Sequence, residues 1–198
     1  MKRSLALALL FVVANSLACD KMPEDDDLLK LTKRAKLLIG THKPDSIRAA
    51  IGILDYVLKV DSLNFDLYYG KVRALWLLAD YGSVIGVLDT AIERCPDQEI
   101  MGLFLQGVAL DYLGRTDEAK DRYSKYLAGV EQLLLLAPKD VEVTVSRAFA
   151  LCMLGRKSDA IDAMERLWNE RPKDEYVIDM LDQVKKFDRF EFLSHYSP

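Results

Sequence analysis

The side chains of this 198-residue chain that could do chemistry are few and widely separated. Its two histidines, His42 and His195, have no cysteines or carboxylates around them at metal-ligand spacing, so no metal site is expected. Cys95 and Cys152 fall at different points of separate helical patterns and read as buried free thiols rather than a disulfide. Acidic pairs such as Asp25-Asp26 lie in a short polar stretch where no scaffold fixes their geometry. There is no glycine-rich phosphate loop and no nucleophile motif. The expected protein is not an enzyme and needs no cofactor. What remains is the thiol of Cys19, notable for its position, and a set of aromatic and acidic residues at helical spacing that suit binding.

Cys19 ends a distinctive leader. Lys2 and Arg3 give a positive start, Leu5 to Ala14 is an unbroken apolar run, and Ser16 and Ala18 put small residues just before the cysteine. The run is too short to cross a bilayer, so residues 1–18 read as a secretory signal peptide. A cysteine at the first mature position resembles the lipobox of bacterial lipoproteins. That resemblance implies a diacylglycerol on the Cys19 thiol, an acylated amino terminus and attachment to a bacterial membrane. Each buried methylene of such chains contributes about 0.8 kcal/mol to anchoring. Ser16 and Leu17 depart from the family pattern, which has Leu and then a small or β-branched residue. Cleavage at the same bond without acylation, giving a soluble periplasmic or secreted protein, therefore stays open, as does the choice between inner and outer membrane.

Residues 19–27 read as the lipidated cysteine and an acidic tether, with Asp20, Glu24, Asp25, Asp26 and Asp27 around Pro23. Loss of Lys2 and Arg3 with the leader takes the formal charge from −4 to −6, against a nucleic-acid partner held through phosphates.

The elements that must position the remaining residues announce themselves by repetition. Leu113-Gly114-Arg115-Thr116-Asp117-Glu118-Ala119 and Leu154-Gly155-Arg156-Lys157-Ser158-Asp159-Ala160 are near copies. Each follows an apolar helical pattern with a small residue seven positions before the glycine (Gly107, Ala148), and each leads a second pattern ending near a proline (Pro138, Pro172). Two weaker copies lie upstream. One has Val72, Leu75, Ala79, Val84, Leu88, Ala91 and Pro96 around the turn Asp80-Tyr81-Gly82-Ser83, where Ser83 is a candidate helix cap. The other has Leu38, Ala50, Leu54 and Val57 around Pro44-Asp45-Ser46.

These small, turn and aromatic positions resemble the tetratricopeptide repeat (TPR), a pair of antiparallel helices in about 34 residues. The resemblance implies an all-α fold: a right-handed α-solenoid of about four TPR helix pairs over residues 28–172, with a C-terminal capping helix and tail over 173–198. The repeats run at about 28–62, 65–96, 100–138 and 141–172. Between the two Leu-Gly-Arg turns the spacing stretches to 41 residues around Gly129 to Ala137, which implies either a longer or a broken second helix. Leu133 to Leu136 cannot all face one side of a helix. They pack under repeat four or form a contact surface. The tail Phe187-Asp188-Arg189-Phe190-Glu191-Phe192-Leu193 is expected to fold back on the last helix, the alternative being an extended segment for a partner.

In the family the first helix of each pair lines the concave surface, and its positions carry over residue by residue. Repeat two offers Asp66, Tyr69, Arg73 and Trp76. Repeat three offers Met101, Phe104, Val108, Asp111 and Tyr112. Repeat four offers Glu142, Val145, Phe149 and Cys152. Aromatic anchors of this kind bury large areas at low entropic cost. The Lys, Arg and Asn clamp with which one TPR subset grips terminal carboxylates is largely missing, Arg73 alone standing at such a position in repeats two to four.

The resulting expectation is a membrane-anchored adaptor that binds a protein or peptide partner of the cell envelope on its concave face. A transport accessory holding a small apolar ligand beside Trp76 and Tyr112 is one alternative. An inhibitor or immunity protein for a periplasmic toxin is another.

Overall fold

The computed structural model describes residues 25–196; the leader and Cys19 lie outside the described residues. The described chain is helical and carries no strand: α1 (Asp25–Ile39), α2 (Pro44–Val60), α3 (Phe65–Leu77), α4 (Tyr81–Arg94), α5 (Glu99–Tyr112), α6 (Thr116–Leu136), α7 (Val141–Met153), α8 (Lys157–Glu170), α9 (Glu175–Lys186) and α10 (Arg189–His195). A single 3₁₀ turn, Pro96–Gln98, joins α4 to α5. Through α9, each helix packs chiefly on its neighbours in sequence, the arrangement of an α-solenoid. α1 begins at Asp25, so Asp25, Asp26 and Asp27 open a helix instead of ending a tether. The charges of Asp26 and Asp27 suit the positive end of its dipole.

The turns follow one rule in three repeats. Gly114 and Gly155 take the left-handed conformation (φ 71° and 76°), and the next amides, of Arg115 and Arg156, donate to Leu110 and Leu151 carbonyls at 2.9 and 2.8 Å. In repeat two that place belongs to Ala79 (φ 55°), followed by Asp80 N donating to the Leu75 carbonyl at 3.0 Å. The turn is therefore Leu78-Ala79-Asp80. Gly82 and Ser83 lie inside α4, and the cap is Asp80, whose carboxylate accepts from Ser83 N at 3.1 Å. In repeat one Pro44 starts α2, and His42 (φ 55°) supplies the left-handed residue before it.

The core runs through the stack in linked clusters, with Val72, Leu88, Leu105, Val108 and Tyr123 at the centre. α5 is apolar around most of its circumference because it is covered on all sides, by α4, by α6 and by the tail. Gly107 is required at the α5–α6 crossing: a Cβ there would stand 2.5 Å from the Tyr123 ring. α6 is one uninterrupted helix of 21 residues. Its Gly129 lies against Ile100, where a Cβ would come to 2.9 Å, so close approach of the 3₁₀–α5 corner explains a glycine in mid-helix. The leucines at its end do not pack under repeat four as a group. Leu135 and Leu136 are 73% and 84% exposed because α6 projects past its neighbours. Among the described residues no helix is long and apolar enough to cross a membrane.

Candidate binding face

The first helices of the pairs, α3, α5 and α7, carry the expected lining residues; Cys152 is buried in the core of the last repeat instead of lining the face, Met101 and Glu142 are exposed, and the other ten fall into three groups. Asp66, Tyr69 and Arg73 line a hollow of about 450 Å³ together with Lys36, Ile39 and His42 from the end of α1 and the turn after it. Val108 and Val145 turn into the core, fully and nearly fully buried, so they hold the helices together instead of facing a partner. Trp76, Phe104, Asp111, Tyr112 and Phe149 form the third group, four aromatic rings and one carboxylate that all meet the C-terminal segment.

That surface is covered by the chain's own C-terminus. After α9, Phe187 and Asp188 reverse the chain. Asp188 caps α10 by accepting from Glu191 N at 2.8 Å, and Lys157 holds the Phe187 carbonyl at 2.9 Å. The tail does fold back, but across α3, α5 and α7 and not along α9. Tyr196 sets its ring edge-on to Trp76 (5.9 Å between centroids) and to Phe104 (6.0 Å), while Phe192 leans on Phe149 at 6.3 Å. Tyr112 directs its hydroxyl at the carbonyls of Leu193 and Tyr196, the latter at 3.2 Å. Burial pushes the Tyr112 and Tyr196 hydroxyls above the usual tyrosine range, so both stay protonated around neutral pH.

The carboxylate is the polar centre of the face. Asp111 is only 4% exposed at its side chain. It accepts from the Tyr123 hydroxyl at 2.8 Å and from Arg189 Nη2 at 2.6 and 2.8 Å, one contact to each oxygen. The guanidinium also lies 5.7 Å from the centre of the Tyr123 ring. Tyr123 is fully buried, and burial together with the adjacent Asp111 charge holds its hydroxyl far above the ordinary value. It is a fixed donor. A buried carboxylate of this kind is stable only while paired, so the site calls for a cation.

Sequence reading did not assign Tyr81, which stacks on Tyr112 at 4.6 Å, or Tyr123 to the face. Both sit on second helices, outside the carried-over positions. The contact of Arg189, Phe192 and Tyr196 with the face was also missed, although the alternating aromatic and charged residues of the tail were its signal. Tyr81 and Tyr196 fill the space beside Trp76 and Tyr112, where a small-ligand cavity would have to lie. Cys95 and Cys152 are buried free thiols.

Residues 102–128, covering most of α5 and the first half of α6, match the tetratricopeptide repeat family. No curated protein matches the chain. Among solved structures, the MamA RS-1 ArsTM double mutant is 18% identical, with 85% of this chain and 89% of that one covered at a TM-score of 0.50. The TPR-like repeats of a putative kinesin light chain from Podosopora anserina are 11% identical, with 89% of this chain and 100% of that one covered, also at 0.50. MamA from Desulfovibrio magneticus RS-1 is 18% identical over 76% of this chain and 80% of that one, at 0.49. At these identities the similarity is one of fold: the described chain is a solenoid of TPR-like helix pairs.

Proposed function

We propose that this chain is a protein–protein interaction module whose binding surface is the face of α3, α5 and α7, carried in the envelope of a bacterium by lipid on Cys19. The observation that carries the reading is that this face already holds a helical segment, α10, through aromatic anchors and an ion pair between the buried Asp111 carboxylate and the partly exposed Arg189. A surface able to seat a peptide in that way has the composition of a binding hot spot: large rigid rings around a desolvated charge. The leader and the Cys19 position support export and anchoring.

Two experiments separate the parts. Metabolic labelling with a fatty-acid analogue tests the anchor; label that persists in Cys19→Ala contradicts it. Recovery of a cross-linked partner by the full chain, compared with Phe104→Ala and Phe149→Ala, tests the face. Both phenylalanines are half-buried, so their loss leaves the core intact. Unchanged recovery in variants with wild-type circular dichroism sinks the assignment of the face.

A further inference from the structure

α10 differs from every other helix of the array in how it is held. None of its seven residues is buried, and Phe190 is 83% exposed. Its link to α9 is two residues long, and α9 is secured separately by Val177, Leu181 and Val184 in the core of the last repeat. The segment can leave the face without unpacking the solenoid. What it would uncover is not a bland surface but a shaped one: the rings of Trp76, Phe104 and Phe149 that meet Tyr196 and Phe192, the Tyr112 hydroxyl aimed at backbone carbonyls, and Asp111 paired with a guanidinium.

Asp111 makes the surface selective. An apolar ligand that covered it without a cation would leave a buried charge unpaired, which is strongly unfavourable. A lysine would neutralise the charge but could not also lie against the Tyr123 ring as a planar guanidinium does. On α10 the arginine comes first and Phe192 and Leu193 follow at three and four residues on the same side of the helix, while Tyr196, seven residues on, is the extended residue that ends it.

We propose that the face recognises a short helical segment of a partner with that chemistry, an arginine followed by apolar and aromatic residues at +3, +4 and +7, and that the chain's own C-terminus is the built-in competitor such a partner displaces. This rests on the reading of the face as the binding surface. It adds the ligand's chemistry and a threshold: the tether of two residues keeps α10 at an effective concentration of millimolar or more, which a free segment must overcome.

The test uses the full chain. A variant with its tail loosened (Arg189→Glu, Phe192→Ser, Tyr196→Ser) is titrated with a labelled synthetic peptide of residues 186–196, followed by fluorescence anisotropy, beside the wild type. The expected result is binding to the loosened variant at least about tenfold tighter than to the wild type, because the tethered competitor is gone. Adding Asp111→Asn to the loosened variant is expected to weaken binding about tenfold or more, as truncation of a buried charge pair does. A peptide carrying Arg189→Glu is expected not to bind. Should the triple variant fold poorly, Arg189→Glu alone serves, with the same ordering expected.

Equal affinity for wild type and loosened chain overturns the competitor. Binding indifferent to Asp111 overturns the ligand chemistry. No binding to a folded, loosened chain overturns the proposal while leaving the wider role of the face to the Phe104 and Phe149 substitutions. A wild-type dimer in light scattering that dissociates on loosening the tail means the segment is exchanged between copies, which also overturns it.

Discussion

Substituting Gly107 by alanine removes the close approach on which the α5–α6 crossing depends, and its cost can be worked from the structure. The new Cβ would stand 2.5 Å from one ring carbon of Tyr123 and 2.8 Å from two others, where unstrained carbon contacts need about 3.5–4.0 Å. The ring must therefore move by about 1 Å or the helices must part. Tyr123 is fully buried and its hydroxyl is bound to Asp111, so it has no free end that can swing aside. Overpacking of a rigid core costs about 1–3 kcal/mol, and weakening the Tyr123–Asp111 hydrogen bond adds about 1 kcal/mol. Alanine returns about 1 kcal/mol of helix propensity. The expected balance is a loss of about 1–3 kcal/mol, a fall of roughly 2–12 °C in melting temperature for a chain of this size. Urea denaturation followed by circular dichroism measures it. Gly86→Ala, in α4 with nothing within 4 Å of the added carbon, is the control and should gain about 0.5–1 kcal/mol. If Gly107→Ala behaves like Gly86→Ala, the crossing does not need the glycine and the packing argument for repeat three fails.

Ala79→Gly should stabilise the chain by a few tenths of a kcal/mol to about 1, since the left-handed turn then carries no Cβ, partly offset by the added freedom of the unfolded chain. A lower urea midpoint would contradict this. Burial pushes the Cys152 thiol up to about 11, so at pH 8 about one part in a thousand is thiolate and its labelling by a disulfide reagent, read by mass spectrometry, should be slow until urea unfolds the chain. Because the unfolded chain releases that proton first, its contribution to stability is full below pH 9 and is lost as pH rises from 9 to 11. The difference in urea midpoint between wild type and Cys152→Ala should shift over that window and be flat below it. Leu135→Lys with Leu136→Glu should leave the melting temperature within about 1 °C by circular dichroism, since both side chains lie in water.

The repetition in the sequence made the helix pairs legible because the constraint behind it is local: a left-handed residue must end each first helix, and small residues must stand where helices cross. Gly114 and Gly155 meet that constraint openly. Ala79 meets it with a residue type that hides the position, which displaced the repeat-two turn onto Gly82 by three residues. The face was legible in part for the same reason. Trp76, Phe104 and Phe149 sit at family positions, yet helix periodicity does not tell a side chain that faces outward from one, like Val108 or Val145, that turns into the next helix. The tail was legible only as a composition. Its docking joins residues 78 or more positions apart, Asp111 with Arg189 and Tyr112 with Tyr196, and no local rule connects them. The exposed end of α6 escaped for a different reason: four leucines in a row signal burial only when a neighbouring helix is long enough to cover them.

The most direct test of the account is amide hydrogen exchange of the full-length wild-type protein over residues 189–196, compared with Asp111→Asn. If α10 is held on the face through Arg189 and Tyr112, the amides of Phe192 and Tyr196, which donate to the Asp188 and Leu193 carbonyls, exchange more slowly than an unstructured chain and speed up in the variant. Amides in that segment that exchange in the wild type at the rate of a free peptide would contradict the account.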